Sequence, residues 1–136
     1  MKRKRKYIDE LGVKFEDTPQ GWHLNEDDYR IPLWEKQRQE WGFDERETWC
    51  LNYSFDLWLY ERLRVYDKIN IVDTHSPLHE FDFEGEKLNF QDCIDRMLEG
   101  LKISITTDEF DMTPEELKKS RDVVKIFALC FEALWW

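Results

Sequence analysis

Three stretches of this chain place apolar side chains every third or fourth position, and a period of that kind is satisfied by amphipathic helices packed on one another. The first stripe is Leu51, Phe55, Trp58, Leu59, Leu63 and Tyr66, and the second is Phe90, Ile94, Met97, Leu98 and Leu101. The third is Leu117, Val124, Phe127, Phe131 and Leu134, joined by Val123 and Cys130 and continued to Trp135 and Trp136. Exposed apolar surface costs about 25 cal/mol per Å², so each stripe is expected to be buried against its neighbours.

Local punctuation places the helix ends. Met112-Thr113-Pro114-Glu115-Glu116 is the strongest such signal: Thr113 reads as N-cap, Pro114 as first helical residue and Glu116 as the closing member of a capping box. Asn89 caps the helix of the second stripe, which is expected to end near Ser104. Asp44, followed by Glu45 and Glu47 where the helix dipole favours negative charge, predicts a long helix from that point to about Lys68. Pro32 opens a shorter helix through Trp34, Gln37, Arg38 and Trp41, and Gly42 stops it. Three long helices and one short one fit a small antiparallel helical bundle, mainly α. A minor β-hairpin is the variant, with a strand at Phe81-Asp82-Phe83 inside an otherwise loop-like 70–86 segment. Residues 1–30 show no sustained period and read as a loosely ordered arm, with one short strand or turn around Trp22-His23-Leu24, ahead of a single helical domain over 31–136.

Composition narrows the function classes. The chain has 136 residues with a formal net charge of −10, yet it carries seven Trp, nine Phe and five Tyr. Lys2, Arg3, Lys4, Arg5 and Lys6 form a basic head; taking these five from the 20 basic residues leaves 15 against 30 acids, a net of −15 for the remainder. Such a body repels nucleic-acid phosphates and membrane surfaces and attracts basic proteins, although net charge also simply keeps a tryptophan-rich chain in solution. The basic head reads as a solvated tail. Tyr7-Ile8-Asp9-Glu10 follows it where a signal peptide requires an apolar run, and the apolar tail from Ile126 is too short to span a bilayer. Cys50, Cys93 and Cys130 lie far apart in helix-like segments without a CxxC pair, which points to a reducing compartment and a cytoplasmic protein.

No nucleotide-loop, nucleophile-elbow, HExxH or zinc-finger spacing occurs, so no catalytic residues and no cofactor are expected. His75 and His79, set among Asp73, Glu80 and Asp82, are the weak metal candidates. Pro77 between them argues against the helix that would put both imidazoles on one face, and solvated loop histidines are commoner than ligands. Arg62 interrupts the apolar face of the first stripe together with Asn52, and a guanidinium there needs a carboxylate such as Glu99 or Glu132, or else helps line a polar pocket. In the pocket reading Trp49, Tyr53 and Trp58 stack on a planar base and Arg46 and Arg64 meet a phosphate, so the chain would sequester a nucleotide-like ligand.

Trp41-Gly42-Phe43-Asp44-Glu45-Arg46-Glu47-Thr48-Trp49-Cys50-Leu51-Asn52, Glu61-Arg62-Leu63-Arg64-Val65-Tyr66, the Cys93-Ile94-Asp95-Arg96-Met97 run and the closing Phe131-x-x-Leu134-Trp135-Trp136 resemble a family of small uncharacterised proteins of tailed bacteriophages. Residues 1–30 and 70–86 depart from that pattern. The resemblance implies a phage origin and a bacterial host cytoplasm, and carries no activity with it. The expectation is a non-enzymatic phage accessory protein that binds and neutralises a host protein with a basic surface, such as an anti-phage defence component. The alternatives are the nucleotide sponge and a small metal-dependent enzyme using His75 and His79; the oligomeric state stays open.

Overall fold

The computed structural model describes residues 10–23 and 25–135. Among these, four α-helices and one two-stranded antiparallel sheet make the protein mainly α with a minor hairpin, the architecture the stripes and caps predict. The helices are α1 (Ile31–Trp41), α2 (Leu51–Ile69), α3 (Phe90–Thr106) and α4 (Pro114–Cys130); the strands are β1 (Glu80–Phe83) and β2 (Glu86–Asn89). Two compact units divide the chain, with the boundary between Asp56 and Leu57, inside α2. The basic head, Leu24 and Trp136 lie outside the described residues.

In the first unit α1 ends as its glycine predicts. Gly42 takes the left-handed conformation (φ 82°) and its N–H donates to the Arg38 carbonyl at 3.0 Å. Asp44 does cap, and with Glu47 it completes a capping box, but the element it opens is a four-residue 3₁₀ turn, Glu45–Thr48. The long helix therefore begins at Leu51, and Cys50 sits in the turn before it. The physical reason is Arg46, whose side chain folds back onto the Asp44 carboxylate and is almost fully buried there. The described part of the expected arm is folded into this unit. Thr18 is fully buried, Gln20 donates to Glu47 at 2.7 Å, and the turn Pro19–Gly21 packs on the turn Glu45–Thr48. Trp22 and His23 belong to no strand.

The second unit is built on α3 and α4. Both capping boxes form as expected, Asn89 with Asp92 and Thr113 with Glu116, and α3 runs two residues past Ser104. The pairs Cys93 with Cys130, Gly100 with Val123, and Ser104 with Ser120 descend along one helix as they ascend along the other, so the two run antiparallel. Phe90, Ile94, Met97 and Leu101 are fully shielded, as the second stripe requires. The third stripe needs correcting: the buried line of α4 is Val123, Ile126 and Cys130, while Val124 and Phe131 face solvent. Along α2, Leu57, Leu59, Tyr60 and Leu63 are buried, whereas Leu51 and Trp58 from the first stripe are exposed.

The hairpin pairs Glu80 with Asn89 through Phe83 with Glu86, closed by Glu84 (φ 49°) and Gly85 (φ 81°), the left-handed pair that a two-residue turn of the right twist demands. Phe83 and Leu88 are buried on one face and Glu80 and Asp82 are exposed on the other. The segment before it is anchored by Gln91: its backbone N–H and side-chain oxygen meet Thr74, and its Nε2 donates to Asp67 and Asp95, each at 2.9 Å.

Candidate functional site

The residues expected to form a nucleotide pocket take several different roles. Arg46 is consumed structurally. Its Nε and Nη2 donate to the two Asp44 oxygens at 2.9 and 2.8 Å, Nη1 donates to the Trp22 carbonyl at 2.6 Å, and its guanidinium stacks 4.3 Å from the Trp34 ring centre. Arg38 also pairs with Asp44, and Trp34 donates its indole N–H to Glu45 at 2.8 Å. Burial alone pushes the Asp44 carboxyl up, but the Arg46 and Arg38 guanidiniums outweigh it and hold the pKa below the usual carboxylate range. Trp49 stands edge-on to Trp34 with the Arg30 guanidinium 5.4 Å from its ring, and Tyr53 is half-buried and stacked with Trp22. Asn52 is exposed.

Arg62 needs no buried partner, because it is on the solvent side of α2 with its guanidinium 4.6 Å over the exposed Trp58 ring and bonded to the Trp58 carbonyl. Glu99, offered as its counter-ion, pairs instead with Lys119. Arg64 lies 5.5 Å over the Tyr60 ring. The phase of α2 is the reason: with Leu57, Tyr60 and Leu63 inward, position 62 turns outward.

His75 is exposed, and no group of three or more His, Cys, Asp or Glu able to hold a metal occurs among the described residues. His79 ends a short 3₁₀ turn, Pro77–His79, with its ring edge-on to Phe90 at 6.1 Å between centres. Its Nδ1 is buried without a hydrogen-bond partner.

That turn is one wall of a groove of about 440 Å³ in the second unit. Leu78 and Phe81 meet Leu129, Phe131 and Trp135 across it, and of these Leu78 is 89% exposed, Trp135 67% and Phe131 59%. Its charged lining groups are Glu80 and Glu132, with no Lys or Arg among the lining residues. The far wall is fixed in place: Leu134 N–H donates to Phe131, Trp135 N–H donates to Ala133, and the Tyr66 hydroxyl donates to the Trp135 carbonyl at 2.9 Å. None of the seven residues expected to bind a ligand lines it; the signals present in the sequence were His79 and the terminal aromatics, which a helical period treats as core.

No protein-family model, curated protein or solved structure matches this chain. The groove's own chemistry is therefore the guide to what it does. Apolar walls with two carboxylates and no adjoining nucleophile-base pair suit adhesion, since aromatic and aliphatic anchors supply the contact energy and the charges set orientation. No described helix is long and apolar enough to cross a membrane.

Proposed function

We propose that this chain works by binding: a non-enzymatic accessory protein that attaches to a basic protein of a bacterial host and neutralises it, with an anti-phage defence component as the target. The observation that carries the reading is the groove of the second unit, where exposed Leu78, Phe131 and Trp135 stand beside Glu80 and Glu132 on a chain of net charge −10. Large apolar side chains held at a surface among like-signed charges are what protein interfaces use as anchors, and the charge draws an oppositely charged partner. The sequence likeness to small tailed-phage proteins supplies the host as the source of the partner. The nucleotide-sponge alternative loses Arg46, whose guanidinium is already spent on Asp44 and Trp22.

The test is a pull-down with the tagged chain from phage-infected bacteria at about 0.1 M and 1 M salt, since exposed charge attraction is screened over about 3 Å at the higher value. A host protein enriched over a tag-only control at low salt and lost at high salt is the expected result. No enrichment at either salt overturns the reading.

A further inference from the structure

The binding reading leaves the shape of the bound element open, and the groove's surroundings narrow it. β1 pairs only with β2 in this sheet, and no other backbone hydrogen bond of Glu80 to Phe83 occurs among the described residues. A two-residue turn makes Phe83 and Glu86 the hydrogen-bonded pair nearest it, and pairs alternate along an antiparallel ladder. The N–H and C=O groups of Glu80 and Asp82 therefore point away from β2. The start of this strand, Glu80 and Phe81, is also part of the groove lining. An unpaired strand edge is a template for an added strand, and proteins that leave one beside an apolar groove commonly use it for peptide capture.

Side-chain chemistry specifies the guest. Both lining charges are carboxylates, and Asp82, exposed two residues beyond Glu80 on the same face of β1, extends the negative row. The apolar wall of Leu129, Phe131 and Trp135 offers contact area to aliphatic groups. In an extended guest successive side chains point to opposite sides, so alternating cationic and apolar residues would address the carboxylates and the apolar wall at once.

We infer that the groove between residues 78–81 and 128–135 captures an extended segment of a partner protein with alternating Lys/Arg and aliphatic residues, laid along the free edge of β1. This rests on the binding reading and gives it a site. The Glu80 and Glu132 side chains are exposed and make no hydrogen bond or ion pair among the described residues, so replacing them should leave the fold intact.

The experiment titrates the full ¹⁵N-labelled chain with a capped synthetic peptide of alternating Lys and Leu, and with Glu/Leu and Lys/Ser counterparts. Saturable shifts of backbone amides in 78–82 and 128–135 are expected with the Lys/Leu peptide. Affinity should fall at least tenfold for both counterparts and for the double variant Glu80→Lys/Glu132→Lys, whose circular dichroism should match that of the parent. Absence of binding, shifts confined to other residues, or equal affinity of the double variant each overturns the groove assignment. The infected-cell pull-down fails or succeeds independently: a host partner captured equally by parent and double variant sinks the groove and leaves the binding reading standing, whereas no partner at all sinks the binding reading.

Discussion

Asp44 and Asp56 belong to the same unit, and burial pushes both carboxyls up, yet their pKa values end on opposite sides of the ordinary one. Asp44 has two guanidiniums, and its lowered pKa stabilises the fold above the ordinary carboxylate value of about 4; that stability is lost as pH falls through the lower folded value. Asp56 has no hydrogen-bond partner among the described residues, and desolvation raises its pKa to about 6. The folded state then binds the Asp56 proton more tightly than the unfolded chain, so stability is greatest below about pH 4 for this group and declines as pH rises to 6. Asp56→Asn should therefore stabilise the protein at pH 7.5 by about 1–2 kcal/mol, after allowing for partial exposure. At pH 4 the gain should vanish. Urea unfolding of variant and parent at both pH values checks this, and an equal difference at the two values refutes the assignment. For Asp44→Asn, leaving Arg46 buried without its counter-charge should cost about 3–5 kcal/mol at pH 7; a loss under about 1 kcal/mol would show the network to be dispensable.

Caps are legible in the sequence and helix faces much less so, for a physical reason visible in each element. A cap is a contact between residues three apart, and Asn89, Thr113 and Gly42 do what their side chains dictate whatever packs nearby. Which side of a helix is buried depends on partners distant in sequence. In α2, Leu51, Leu57, Trp58, Leu59 and Tyr60 offer apolar surface almost all round, and tertiary packing chose Leu57, Leu59 and Tyr60. In α4, Ile126 takes the buried place expected of Val124, and Phe131 just past its end is exposed. Gly100 hints at that choice: a Cβ there would overlap the Lys119 carbonyl oxygen and the Val123 Cγ2, so α3 and α4 cross at this glycine. Gly100→Ala gains about 1 kcal/mol of helix propensity yet should destabilise the protein by about 1–3 kcal/mol through overpacking. Thermal unfolding monitored at 222 nm would reveal this, and a raised midpoint would contradict so close a crossing. Thr113→Ala should cost about 1 kcal/mol by the same measurement, since it removes an exposed but fully formed cap.

At the level of the whole chain, the excess of aromatic residues over what a 136-residue core requires was legible, and its meaning was not. Of the rings expected to gather around a ligand, Trp49 and Tyr53 pack with tryptophans of their own unit, and Trp58 carries Arg62. The groove is not legible in the sequence because its walls come from residues 78–81 and 128–135, some fifty positions apart, and only folding brings them together. His79, by sequence a weak metal candidate among acids, has its ring edge-on to Phe90.

The cysteines give the molecule a built-in reporter. Cys93 and Cys130 are completely shielded and face each other across α3 and α4, and the facing thiol together with burial pushes the Cys130 thiol far up, whereas Cys50 is open to solvent. A thiol-reactive dye added to the native protein should thus mark one sulfur within seconds and leave the other two untouched until the helices carrying them separate. The slow phase of that labelling clocks how often the α3–α4 pair breathes apart, without denaturant and without an engineered cysteine.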